Sequence, residues 1–162
     1  MKRICCLILI IFTLISFSPG IIVFGEDNKG KIGIGLNYPG FSVRYFKSDR
    51  TAWEAKLQTE TNILVVGARL NKYSNLRSNN KIQIIKGLEV DLVSFKGDTA
   101  EGYGMAAEVF LGGEYSISNK LSLQLDFGPA LVFLMDRDYK DVKANSLEFV
   151  LNLGINWYLR GK

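Results

Sequence analysis

Between residues 121 and 133 every second side chain is apolar or proline: Leu121, Leu123, Leu125, Phe127, Pro129, Leu131 and Phe133. Ser122, Gln124, Asp126, Gly128, Ala130 and Val132 lie between them. A period of two puts the two sets on opposite faces of a β-strand, whereas helical spacing would scatter the leucines around an axis. The alternation recurs and predicts further strands at 31–38, 41–46, 52–59, 63–73, 82–95, 103–115 and 146–159. In 82–95, Leu88 and Leu92 are also four apart, but Gly87 and the β-branched residues favour a strand. Pro39-Gly40 and the polar segments 47–51, 74–80, 96–102, 116–120 and 135–144 read as turns and loops. Eight strands joined in sequence by short connections predict an all-β, antiparallel up-and-down barrel. At 162 residues the chain has room for one such domain.

The first 25 residues break the pattern. Lys2 and Arg3 precede an apolar run over 4–17, and Val23-Phe24-Gly25 places small residues where a signal peptidase reads. This predicts a cleaved signal peptide at 1–25 and a barrel domain at 26–162. A permanent helical anchor is disfavoured because Ser18-Pro19-Gly20 interrupts the apolar run. A lipoprotein is disfavoured because Cys5 and Cys6 precede that run. Losing Lys2 and Arg3 takes the formal charge from +4 to +2, too little to argue for nucleic acid. With 48% hydrophobic and 22% charged residues, the chain is neither disordered nor a helical membrane bundle.

Alternation alone leaves open which face points inward: a soluble barrel has an apolar lumen, and a membrane barrel the reverse. Three features favour the membrane. Glycines crowd the polar face (Gly33, Gly35, Gly67, Gly87, Gly104, Gly112, Gly128, Gly154), which suits a narrow lumen and would only weaken a solvated surface. Aromatic residues fall near strand ends, as in two interfacial girdles: Tyr45, Trp53, Tyr115 and Trp157 at the end carrying the termini, and Tyr38, Phe41, Tyr103, Phe133 and Phe149 at the other. The apolar face is also large and continuous, with Lys86 as the exception. A lipid-facing lysine at mid-depth costs about 2–4 kcal/mol, so Lys86 is expected near the rim that carries the termini.

The tail resembles the C-terminal strand signal of bacterial outer-membrane barrels. Asn152, Gly154, Trp157 and Leu159 match its polar, glycine and hydrophobic positions, although Leu159 replaces a terminal aromatic and Arg160-Gly161-Lys162 follow. The whole region after the leader resembles the small eight-stranded barrels of the OmpA/OmpX type, without an appended peptidoglycan-binding domain. The resemblance implies a transmembrane β-barrel in the outer membrane of a double-membraned bacterium, with outer-membrane lipid around it. It also implies contact with the barrel-assembly machinery during insertion.

Candidate chemistry is confined to the polar face and the loops. Arg44, Glu54, Lys56, Arg69, Glu89, Asp91, Glu108, Glu114, Asp126 and Glu148 are expected to point into the lumen as an ion-pair network. Their acidic excess suggests, as an alternative, a narrow passive cation-preferring pore. A soluble periplasmic ligand-binding barrel is the third reading. The chain has no histidine, which removes Ser-His-Asp and Cys-His catalysis and His-based metal sites. Glu89 and Asp91 could do acid–base work, but residues two apart on one strand face are equally expected of a lumen network. The expectation is a monomer with no enzymatic activity, cofactor or metal, and a structural or surface-interaction role. Loops 96–102 and 135–144, the latter with Asp136, Arg137, Asp138, Tyr139, Lys140 and Asp141, could meet an extracellular ligand.

Overall fold

Alternating side chains produce eight strands in the computed structural model, which describes residues 28–37, 39–76, 79–97, 101–137 and 143–159. The predicted signal peptide at 1–25 and Tyr38 lie outside the described residues. The strands are β1 (Ile32–Asn37), β2 (Gly40–Ser48), β3 (Thr51–Glu60), β4 (Ile63–Leu76), β5 (Asn79–Lys96), β6 (Glu101–Ser116), β7 (Leu121–Asp136) and β8 (Lys143–Leu159). Each pairs antiparallel with the next, and β8 pairs with β1 to close the ring. Closure leaves no free lateral edge where the strands are paired.

The register fixes the shape. Gly33 aligns with Arg44, Glu54, Arg69, Glu89, Glu108, Ala130 and finally Glu148 across successive strands. Gly33 itself pairs with Tyr158 on β8, so one circuit advances from residue 158 to residue 148, a stagger of ten residues. Ten rises of about 3.3 Å over eight spacings of about 4.8 Å tilt the strands by roughly 40°. The barrel radius is then roughly 8 Å, which side chains fill.

The connections at the end carrying the termini are tight. Asp49 Oδ1 accepts the backbone N–H groups of Asn28 and Lys29, both at 3.2 Å, and ties the start of the described chain to the β2–β3 turn. Ser118 Oγ accepts the N–H of Leu121 at 3.2 Å in the β6–β7 turn. At the far end, Asn62 closes the two-residue β3–β4 turn with φ 66°, a left-handed conformation that asparagine tolerates.

Strands run further than the alternation predicts. Residues 74–76 and 79–80, expected in a polar loop, belong to β4 and β5, where Gln83 Nε2 donates to Asn75 Oδ1 at 2.9 Å. The expected loops 96–102 and 135–144 are likewise shorter: Lys96, Glu101, Gly102, Met135, Asp136, Lys143 and Ala144 lie in strands. These ends lack the apolar alternation, so ladder pairing continues after that signal has stopped. Residues 98–100 and 138–142 lie outside the described residues.

Polarity is inverted relative to a water-soluble barrel. Leu36, Phe41, Val66, Leu92, Phe127, Leu151 and Leu153 are exposed on the outer face, and Phe149 reaches 79% exposure. On β8 this apolar surface runs from Leu147 to Leu159, roughly 30 Å of axial height at the 40° tilt. The interior is polar and charged, apart from a plug of Phe46, Ala52, Tyr73, Ile85 and Phe110 with Tyr158 packed against it.

Candidate functional site

The inward positions of all eight strands converge on one buried network. Arg44 on β2 is its hub and is 1% exposed. Its Nε and Nη2 donate to Glu54 Oε2 on β3 at 3.0 and 2.8 Å. Nη1 donates to Glu114 Oε2 on β6 at 2.9 Å, to Tyr73 Oη on β4 at 2.6 Å and to Tyr158 Oη on β8 at 2.8 Å. Nη2 also reaches Gln124 Oε1 on β7 at 2.5 Å. Arginine's planar fork of donors is suited to serving several strands at once. Glu114 is further held by Ser122 Oγ at 2.5 Å and by the Tyr158 hydroxyl.

A second layer lies nearer the far end. Arg69 pairs with Glu89 at 2.9 Å and Asp126 at 2.7 Å, and its guanidinium carbon sits 3.8 Å from the centre of the Phe110 ring. Lys56 Nζ donates to Glu89 Oε1 at 2.5 Å. Gln124 and Asn152 donate to Asp126 at 2.5 and 3.1 Å, while Asn71 donates to Glu54 at 2.9 Å. Gly87 makes room for the Phe110 ring: a methyl group there would lie 2.6 Å from Phe110 Cζ and would overlap the Leu70 carbonyl oxygen. The β6–β7 ladder omits the steps opposite Gly128 and Pro129, and proline has no N–H to contribute.

The structure therefore brings Arg44, Glu54, Lys56, Arg69, Glu89, Glu108, Glu114 and Asp126 together inside the barrel, all buried. Asp91 is half-buried at the upper margin of the same cluster. Glu148 departs from the expectation. It shares the inward register, opposite Ala130, but is exposed, and its carboxylate accepts from Ser146 Oγ at 2.9 Å. The ten-residue stagger lifts this part of β8 above the charged layers, so parity puts Glu148 inside while height puts it in the open mouth.

The expected charge network leaves out Asn71, Ser122, Gln124, Asn152 and Asn156, which alternation already sets on the polar face, and Tyr73 and Tyr158, which share that parity. Outward aromatics share a level at one end of the barrel. Tyr45, Trp53, Tyr115 and Trp157 point outward and, with the stagger applied, fall within roughly 6 Å of one height. Phe41 sits beside the short β1–β2 turn, roughly 15 Å below Phe133 and Tyr103, so these three do not share a level. Lys86 lies opposite Lys72, toward the end carrying the termini. In the C-terminal strand, Asn152 and Gly154 face inward, whereas Trp157 and Leu159 face outward.

The far rim is uneven. The β1–β2 hairpin stops roughly 20 Å below the ends of β5–β8, and an open cleft of about 870 Å³ lies at its tip, lined by Leu36, Phe41, Thr59, Glu60, Leu153 and Ile155 among others. The tall β5–β8 side carries an ion pair between Arg137 and Glu101 at 2.7 Å, exposed at its tip. Among the described residues, no three His, Cys, Asp or Glu side chains form a group able to hold a metal ion. The chain matches no protein-family model, no curated protein sequence and no solved structure.

Proposed function

We propose that the chain is an outer-membrane β-barrel of a double-membraned bacterium, with a closed polar lumen and a structural or surface-interacting role. The observation that carries this reading is the inverted polarity: a continuous apolar outer face around a buried ion-pair network. An apolar surface of this extent is foreign to a monomer in water, where exposed patches rarely exceed a few hundred Å². It suits lipid, in which a closed ring of strands satisfies every backbone hydrogen bond along its paired length. The roughly 30 Å of apolar height on β8 and the level group of Tyr45, Trp53, Tyr115 and Trp157 support the same reading. Residues 1–25 would direct export, and Asn152, Gly154, Trp157 and Leu159 would present the strand that the assembly machinery receives.

The packed interior supports a closed lumen over the narrow pore. Arg44 alone engages side chains from β3, β4, β6, β7 and β8, and the aromatic plug backs it. The reading is tested by expressing the chain in a double-membraned bacterium and washing the envelope with carbonate. The membrane fraction is then run on a detergent gel with and without boiling. A band retained in the washed outer membrane that shifts on boiling is expected. Recovery as soluble periplasmic protein would invert the assignment of faces.

A further inference from the structure

The upper charged layer is short of cations. Four carboxylates, Glu89, Asp91, Glu108 and Asp126, face Lys56 and Arg69, and both bases are engaged by Glu89 and Asp126. Asp91 and Glu108 form no ion pair among the described residues. Glu108 is only 4% exposed and its Oε1 has no hydrogen-bond partner; Asp91 shares a hydrogen bond with Glu89, but its Oδ1 is buried without a partner. A buried carboxylate without a partner is costly and favours any cation that can reach it. The two acids are diagonal neighbours, because Glu89 aligns with Glu108 and Asp91 with Ala106. Their Cβ atoms are then about 7 Å apart, a span that one ammonium group can bridge.

Most of the surroundings are apolar. Around and beyond the acids the inward positions include Val65, Val93, Ala106, Val132 and Val150, with Gln58 beside them and the carboxylate of Glu148 exposed in the same mouth. The four valines are half-buried, as expected for the wall of an open mouth. The short β1–β2 hairpin leaves this mouth low on one side. Below the acids, the Arg44 layer and the aromatic plug block passage.

We propose that the far end of the lumen is a blind vestibule that binds an organic cation: its ammonium group between Asp91 and Glu108, its apolar body against the valine wall. The apolar lining favours such a ligand over a hydrated inorganic ion, which would keep its water shell only in a polar site. The proposal needs the closed barrel but not the membrane, so its failure and that of the location reading are distinguishable.

The test uses purified, folded protein in a non-ionic detergent, with folding verified by the shift on boiling. Titration calorimetry compares benzylammonium, methylammonium and benzyl alcohol. Saturable one-to-one binding of benzylammonium is expected, weaker for methylammonium and absent for benzyl alcohol. Asp91→Asn and Glu108→Gln should each weaken binding about tenfold, the usual loss of one charge-assisted hydrogen bond. Equal binding of benzylammonium and benzyl alcohol would overturn the proposal. So would lack of benzylammonium binding by the wild-type protein, or undiminished binding by the folded double variant. The ligand comparison on the wild-type protein stands even if the variants do not fold.

Discussion

Arg44 on β2 and Glu114 on β6 meet across the barrel interior at 2.9 Å, seventy residues apart in the chain. Neighbouring strands are held by their ladders, but this contact joins opposite walls. It forms only once the ring has closed, so the lumen network reports on closure itself.

Removing the hub should therefore be severe. Arg44→Met leaves Glu54 and Glu114 buried with their principal cation gone. Breaking a buried pair in this way typically costs about 3–5 kcal/mol. Urea titration in detergent, followed by the gel shift, should show a much lower midpoint. A change below about 1 kcal/mol, the range of an exposed pair, would mean that the interior is wetter than described.

Gly87 carries a second prediction. The Phe110 ring packs over it, and Arg69 stacks on the ring at 3.8 Å. Gly87→Val would drive the ring away and strain the backbone against Leu70, while Gly113→Val, whose Cβ would meet only the Gln83 carbonyl at 3.8 Å, should be tolerated. The expected readout is loss of the folded band for the first and its retention for the second.

The outer face makes a prediction that separates lipid from water. Leu151 is 70% exposed at mid-height of the apolar band, whereas Ile117 is exposed in the β6–β7 turn. Leu151→Arg should cost about 2–4 kcal/mol when folding is measured into lipid bilayers, and Ile117→Arg about 0–1 kcal/mol. For a surface in water both changes would be near neutral.

If Arg44 and the plug close the lumen, the wild-type protein should be silent in planar bilayers. Steps of conductance well above background would favour the pore and contradict the closed interior.

Much of this architecture was legible in the chain because β alternation is a local signal. Leu121 to Phe133 and their counterparts identify the strands, and the opposite parity identifies the inward set that contains Arg44, Glu54, Arg69 and Asp126. Strand ends such as Ser74, Asn75, Asp136 and Lys143 were not legible. They lie beyond the apolar band, where neither face must exclude water. Height was not legible either, because it depends on the ten-residue stagger, a property of the closed ring. For that reason Glu148 was expected in the network and Phe41 in a girdle. The inward aromatics Tyr73 and Tyr158 are readable by parity, but carry no charge to mark them as members of the network.

The most direct test of the membrane reading uses Trp53 and Trp157, the chain's two tryptophans, 51% and 59% exposed on the outer face at nearly one height. Their fluorescence would be measured with the protein in vesicles of brominated lipids that carry bromine at different depths, and again with an aqueous quencher. Strong quenching by bromine near the headgroups, falling with depth, and protection from the aqueous quencher are expected of aromatic residues at a membrane interface. Full quenching from water with none from lipid would contradict the lipid-facing assignment of the outer surface.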